Sequence, residues 1–234
     1  MSDDGPTGAA PAGRALDPER YDRWFGQPWG RHAFAVERDA LLDALGPLNG
    51  TELVEVGCGT GRFTAVLERA GAQVTGVDND PGMLARATSR TDAALVLADA
   101  HTLPLSDDSF DVAVAITLLE FAAAPQRIVD ELVRVTRPGG RIAVATLNPR
   151  SPWGLAHRRE LRNPPWNSAC LTTRRQLRGL LAGHGRTRLY GALHAPGVLP
   201  GLAGLARVTE HAGRWAPGIG AFQIAVLDLP ESAR

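Results

Sequence analysis

Three carboxylates stand at or just past the ends of apolar runs: Glu55 in "ELVEVG", Asp78 in "VTGVD" and Asp99 in "ALVLAD". Directly after the first, Gly57, Gly59 and Gly61 alternate in "GCGTG". Glycine lets a chain turn sharply and lets a ligand approach the backbone. Dinucleotide sites space such glycines as G-x-G-x-x-G, so that a pyrophosphate rests on a helix N-terminus. Here the third glycine comes one residue early, and Arg62 stands where that motif takes Gly or Ala. No Gly-Lys-Ser/Thr follows, so P-loop spacing is absent as well. Glu55 would repel a phosphate and could hold or orient a cationic group. Asp78 lies 21 residues past Gly57, where an acid accepts from ribose hydroxyls. Asp99 is placed to accept from an exocyclic amine. Together they describe a nucleoside attached to an amino acid, with no phosphate clamp.

The elements that must carry these residues alternate. "TELVEVG" reads as a buried strand, "GRFTAVLERAG" as a helix and "QVTGVD" as a second strand. "DPGMLARATSR" is a helix with an Asp cap and Pro81 in its first turn. "AALVLADA" and "FDVAVAIT" are the third and fourth strands, with Asp99 ending the third. "PQRIVDELVRVTRPGG" is a helix stopped by Pro138-Gly139-Gly140, and "RIAVATLN" is a fifth strand. Continuous apolar strands separated by helices predict a parallel α/β sheet covered on both faces. Upstream, Asp17-Pro18 opens a helical pattern, broken at Gly26, Pro28 and Gly30 and resumed in "RHAFAVERDALLDAL". Downstream, "TTRRQLRGLLAGHG" is a helix capped by Thr172 or Thr173, and residues 153–162 are partly helical. "RTRLYGALHAP" and "AFQIAVLDL" are two last strands whose long connection predicts a closing antiparallel pair.

Charge is balanced, with 25 Lys+Arg against 25 Asp+Glu, so the total implies no nucleic-acid or membrane field. Residues 137–188 hold 11 Arg against one carboxylate, Glu160, a solvated basic face that could also favour an anionic substrate. Two cysteines, Cys58 and Cys170, form no disulfide framework and no metal set, which fits a reducing cytoplasm. No apolar run reaches the ~18 residues of a membrane span. The first residues lack the basic and apolar regions of a signal peptide, and 1–16 read as a disordered tail.

Four stretches in register, "LVEVGCGTGRFT", "VTGVDNDPGML", "ADAHTLPLSDDSFDVAVAITLLEF" and "ELVRVTRPGGRIAVAT", resemble the consecutive motifs of class I S-adenosylmethionine-dependent methyltransferases, of the ubiquinone/menaquinone-methyltransferase-like type. "YDRWFGQPWG" resembles the start of a bacterial subgroup of them. The resemblance implies a Rossmann-like, seven-stranded, mostly parallel sheet with its last strand antiparallel, and S-adenosyl-L-methionine as cofactor. It implies that Gly57, Gly59 and Gly61, with Cys58 between them, pack under the methionine and ribose portions. Glu55 would anchor the amino group. Asp78, followed by Asn79, would bind the ribose hydroxyls. Met83 would pack against adenine or serve only as core. Asp99 would face the adenine amine with Ala100 beside it, and His101 would line that pocket or be plain loop. Ile116 and Thr117 would lie near the methionine end and the acceptor.

On this reading residues 17–234 are one methyltransferase domain. It comprises a helical N-terminal lid (17–48), a cofactor-binding core (49–148), a substrate-side excursion (149–216) and a last strand with its tail (217–234). The expected chemistry is in-line methyl transfer to a small-molecule acceptor, by a monomer or homodimer. Tyr21, Trp24, His32, Trp153 and His157 are the substrate-side candidates, and no single base is selected. The alternative is a non-catalytic binding protein that keeps the fold. A nicotinamide oxidoreductase is disfavoured by the glycine spacing.

Overall fold

The computed structural model describes residues 17–156, 169–194 and 218–231. Its apolar runs become the strands β1 (Glu52–Val56), β2 (Gln73–Asp78), β3 (Ala94–Leu97), β4 (Phe110–Ile116), β5 (Thr136–Leu147), β6 (Arg186–Ala192) and β7 (Phe222–Asp228). They form a seven-stranded sheet in the order β3-β2-β1-β4-β5-β7-β6. β1 pairs in parallel with β2 and β4, β2 with β3, and β4 with β5. β7 runs antiparallel to both β5 and β6. Among the described strands β7 alone is reversed, which is the expected closing pair.

The helices are α1 (Pro18–Gly26), α2 (Pro28–Leu45), α3 (Arg62–Arg69), α4 (Pro81–Ala87), α5 (Pro125–Val135), α6 (Pro152–Ala156) and α7 (Arg174–Leu180). Strand periodicity sorts side chains into two cores. Leu53, Val112, Val114, Ile224 and Val226 meet Leu41, Leu45, Phe63 and Leu67 of α2 and α3. Their sequence neighbours Val54, Ala113, Ala115, Ala225 and Leu227 face Ile128, Leu132, Leu177 and Leu181, from α5 and the α7 segment. Each fully buried leucine contributes about 1.5–3 kcal/mol of transfer free energy.

Local chemistry sets the ends. The Asp17 carboxylate accepts from Glu19 N (2.9 Å) and caps α1. Asp80 accepts from Gly82 N (2.7 Å) and Met83 N (3.2 Å) and caps α4. Thr173, not Thr172, caps α7 in a reciprocal capping box with Gln176. The break at 26–30 is a corner: α1 stops at Gly26 and Pro28 opens α2 at once. A Cβ on Gly30 would lie 2.1 Å from Trp24 O, so only glycine lets the two helices approach here.

Two boundaries differ from the sequence reading. The helix expected to stop at Pro138-Gly139-Gly140 ends at Val135, and Thr136 begins β5. Pro138 lacks an N–H and disfavours helix at Arg137, so the chain turns extended early. Asp99 lies two residues past the end of β3, because β2 runs out of partners at the pair Asp78–Leu97.

Candidate functional site

β1, β2 and β4 end together at one edge of the sheet, and the predicted residues gather there. β1 turns through Gly57 (φ 76), Gly59 (φ 53) and Gly61 (φ 75) into α3. Gly57 N and Cys58 N both donate to Val77 O, at 2.7 and 2.9 Å. A Cβ on Gly57 would lie 2.8 Å from Leu118 Cδ1, whereas one on Gly59 would meet nothing within 4 Å. The loop therefore packs tightly beneath and leaves its backbone approachable above Gly59.

Asp78 locks this loop to β2. Its Oδ2 accepts from Gly59 N (2.8 Å) and its Oδ1 from Asp80 N (2.9 Å). Burial raises its pKa against the opposing pull of those N–H donors. The Asn79 backbone also donates to this carboxylate, which keeps lone-pair capacity beyond these bonds. Asn79 beside it is exposed, and Met83 is buried on α4.

Glu55 is 2 % exposed and its Oε2 accepts from Thr64 Oγ1 at 2.6 Å. Burial pushes its carboxyl up to about 8; the Thr64 bond opposes this and Asp78 reinforces it. Cys58 packs its Sγ against Gly76 of β2. Burial, with Glu55 and Asp78 near, pushes this thiol up, the opposite of an activated nucleophile.

Past β3, Asp99 Oδ1 accepts from His101 N (2.9 Å) and lies 2.7 Å from His101 Nδ1. The His101 backbone and ring bonds hold Asp99 below the usual carboxylate range. His101 Nε2 is buried without a partner among the described residues, and Ala100 packs against the second core. At the end of β4, Ile116 is buried and Thr117 takes φ 47, a left-handed conformation that β-branched residues rarely adopt. Such strain persists only where surroundings hold it, here with Thr117 N donating to Ala145 O at 2.8 Å.

α1 lies against the glycine turn and α4. Its Asp22 accepts from Arg62 Nε (3.0 Å), Arg90 Nη2 (2.9 Å) and Thr60 Oγ1 (3.0 Å). Burial alone would raise Asp22, but these donors hold it low. The Arg62 guanidinium also sits 4.4 Å over the Phe25 ring. Tyr21 and Trp24 meet Phe25 edge-on at 5.0 and 4.8 Å, and Phe34 links Phe25 to Phe63. Burial, with Glu37 near, raises the Tyr21 phenol. Trp24 thus packs as a staple between α1 and the first core.

His32 stacks at a tilt on Trp29, 5.4 Å away, with Nε2 buried and unpartnered among the described residues. Trp153, on α6, packs against the first core. His157 lies outside the described residues, as do Trp166, Glu210, His211 and Trp215. The basic bias has a local counterpart: Arg150, Arg174, Arg175 and Arg178 line one open groove with Asn148.

Sequence reasoning assigned no role to Asp22, Glu37 or Glu120. Glu37 falls on the stripe Ala33–Glu37–Leu41–Leu45, a carboxylate at a core position of α2 that the period itself exposes. Glu120 stands in the 3₁₀ turn Leu119–Phe121, within the apolar run "ITLLEF". Both are buried, at 7 % and 1 % exposure. Burial, joined for Glu37 by the Glu120 charge, pushes each up to about 7.

Among known proteins, residues 54–144 match the family model described as "Methyltransferase domain". A demethylmenaquinone methyltransferase of Beutenbergia cavernae is 40% identical over 118 residues, 50% of this chain and 48% of that protein. A malonyl-[acyl-carrier protein] O-methyltransferase of Pectobacterium atrosepticum is 36% identical over 140 residues, 55% of each chain. The match spans about half the length of these curated relatives. Of solved structures, an S-adenosylmethionine-dependent methyltransferase from Thermotoga maritima, described as a possible histamine N-methyltransferase, superposes with a TM-score of 0.71 at 24% identity. That superposition covers 90% of this chain and 95% of the other, a likeness of fold. Residues 54–144 thus match a methyltransferase domain, and the sheet that carries them has the fold of S-adenosylmethionine-dependent methyltransferases.

Proposed function

We propose that this protein transfers a methyl group from S-adenosylmethionine to a small-molecule acceptor, with the acceptor approaching at the β4 and β5 end of the sheet edge. The observation that carries the reading is Asp78: a carboxylate at a strand end, fixed by Gly59 N and Asp80 N, with lone pairs left for a ribose diol. The fit extends over the loop. A Cβ at Gly59 would occupy the space in which a ligand meets the backbone. Asp99 Oδ2 and the half-buried Ala100 edge would take the adenine end, with Met83 beneath. Glu55, buried under the turn and held by Thr64, would favour the amino group of the cofactor once that cation draws off its proton.

The cofactor supplies an activated methyl on a sulfonium, so the chain's task is chiefly alignment. Proximity and orientation can lower such a barrier by about 7–11 kcal/mol. Ile116 and the strained Thr117 would set the wall beside the reacting centre. Tyr21 and Trp24 on α1 would cover it and exclude water.

Calorimetric titration with S-adenosylhomocysteine, followed by transfer of a radiolabelled methyl group to small molecules, tests the reading. Micromolar binding with labelled product supports it. Failure to bind either S-adenosylmethionine or its demethylated product would overturn it.

A further inference from the structure

Glu120 and Glu37 are two buried carboxyls, close enough for the charge of one to act on the other. Glu120 reaches from the end of β4 to the end of β5, where its Oε1 accepts from Leu147 N at 2.7 Å. Its Oε2 is buried and has no partner among the described residues. α2 ends at the opposite edge of the sheet, where Arg141 Nη1 donates to Leu45 O, so its first half lies toward the site. Glu37 stands in that region, buried, near enough for Glu120 to act on its charge. Beyond burial, the charge of Glu120 is what acts on the Glu37 carboxyl. Arg62 and Arg90, the cations under α1, are engaged by Asp22.

A buried carboxylate without a partner is costly, and a pair of them more so. Folds keep such groups where they act. A carboxylate oxygen with an unused lone pair, within electrostatic reach of a second carboxyl, is complementary to a cation that carries N–H donors. It repels an anion and wastes its charge on an alcohol.

We propose that Glu120 and Glu37 form the acceptor subsite of this enzyme, that the acceptor is an amine bound as its cation, and that Glu120 Oε2 takes its proton. This rests on the methyltransferase reading above. In the step, an ammonium N–H gives its proton to Glu120 Oε2. The freed nitrogen lone pair forms the N–C bond to the methyl carbon, and the C–S bond breaks with its electron pair onto sulfur. The products are a methylated ammonium, a neutral thioether and a protonated carboxyl, so charge is conserved. Burial supports the assignment, because it brings both carboxyls to about 7, where each exchanges a proton readily near neutral pH. Of the titratable groups nearby, Glu37 also acts on the Tyr21 phenol of α1, whose other charged neighbours are Arg62, Glu55 and Asp22.

The test offers the full chain matched probes with labelled cofactor: phenethylamine, phenethyl alcohol and hydrocinnamate, then putrescine and butanediol. Expected is methylation of amines alone. In Glu120→Gln, whose amide oxygen can still accept from Leu147 N, KM for the amine should rise by about tenfold or more. Its thermal midpoint and its affinity for S-adenosylhomocysteine should stay near those of the parent. Glu37→Gln should raise KM for the amine with kcat less affected. Label on alcohol or carboxylate only, no label on any amine, or equal amine transfer by Glu120→Gln would each overturn the proposal. If the parent binds no S-adenosylhomocysteine, the methyltransferase reading itself fails, which separates the two.

Discussion

Asp22 on α1 and Arg90, 68 residues later, form an ion pair of 2.9 Å that joins the first helix to the segment after α4. The same carboxylate holds Arg62 at the start of α3 and the Thr60 hydroxyl of the glycine turn. One side chain therefore sets how α1 lies on the turn. Asp22→Ala strands two partly buried guanidinium groups. Loss of one partner from a buried pair costs about 3–5 kcal/mol, and partial exposure here brings the expected cost to roughly 2 kcal/mol. S-adenosylhomocysteine should bind at least about tenfold more weakly. Denaturant unfolding and calorimetry check this; unchanged affinity would show that α1 does not cover the ligand.

Asp78→Ala should weaken S-adenosylhomocysteine by more than about tenfold, roughly 1.4 kcal/mol. It removes the acceptor of Gly59 N along with the ribose contact. Asp78→Asn keeps one acceptor for the turn and should lose less. Equal affinity of the alanine variant and the parent would remove the ribose assignment.

Gly30→Ala places a Cβ where Trp24 O already stands. The α1–α2 corner must open, and with it the aromatic stack from Trp24 through Phe25 to Phe34. We expect about 2–3 kcal/mol of destabilisation and faster proteolysis after Arg23. A variant as stable as the parent would show that the corner flexes freely.

Thr117→Gly relieves a left-handed conformation at a cost in chain entropy. Strain of this kind is of order 1–3 kcal/mol, so stability should hold or rise while methyl transfer falls. A large drop in thermal midpoint would mean that the Thr117 side chain carries more than its backbone strain costs.

The buried acids give stability a pH dependence of definite sign. Folding raises Glu37 and Glu120 from 4.5 to about 7 and Glu55 to about 8. Between those values the folded chain binds more protons than the unfolded one. Stability is therefore fully present below about pH 4.5 for these groups and is lost as pH rises through 7 to 8, by up to about 1.4 kcal/mol per unit per group. The thermal midpoint should fall from pH 5.5 to 8 and fall less steeply in Glu120→Gln. A midpoint that climbs across that window contradicts the assignment.

The core and its chemistry were legible because they are local. Apolar runs of strand length, the Gly57-Gly59-Gly61 turn and the acids at or near strand ends are all patterns of neighbouring residues. Val54 and Leu53 face opposite cores by simple alternation. The misplaced ends were contests between local signals: Pro138 and Gly139 were read as a helix stop, yet Thr136 already pairs with Phe110. What stayed hidden depends on partners far along the chain. Nothing near Asp22 announces Arg90, and nothing near Glu120 announces Leu147. Glu37 is a polar residue on an apolar stripe, a signal the periodicity contains but that only its burial makes specific.

The reversed seventh strand has a consequence for how such a protein can diversify. β5 ends and β7 begins at the same rim, and Asn148 N donates to Ala221 O at 2.8 Å, tying the two together. β6 runs with β5 and also ends at that rim. Chain leaving after Asn148, and chain returning before Ala221, is thus delivered to the cofactor edge from a fixed collar. Under the proposed function, sequence exchanged next to those anchor points, outside α7 and β6, would change what meets the methyl group while the sheet beneath keeps its hydrogen bonds. On that proposal the collar is a grafting joint, where new acceptor preferences would be acquired without the core being rebuilt.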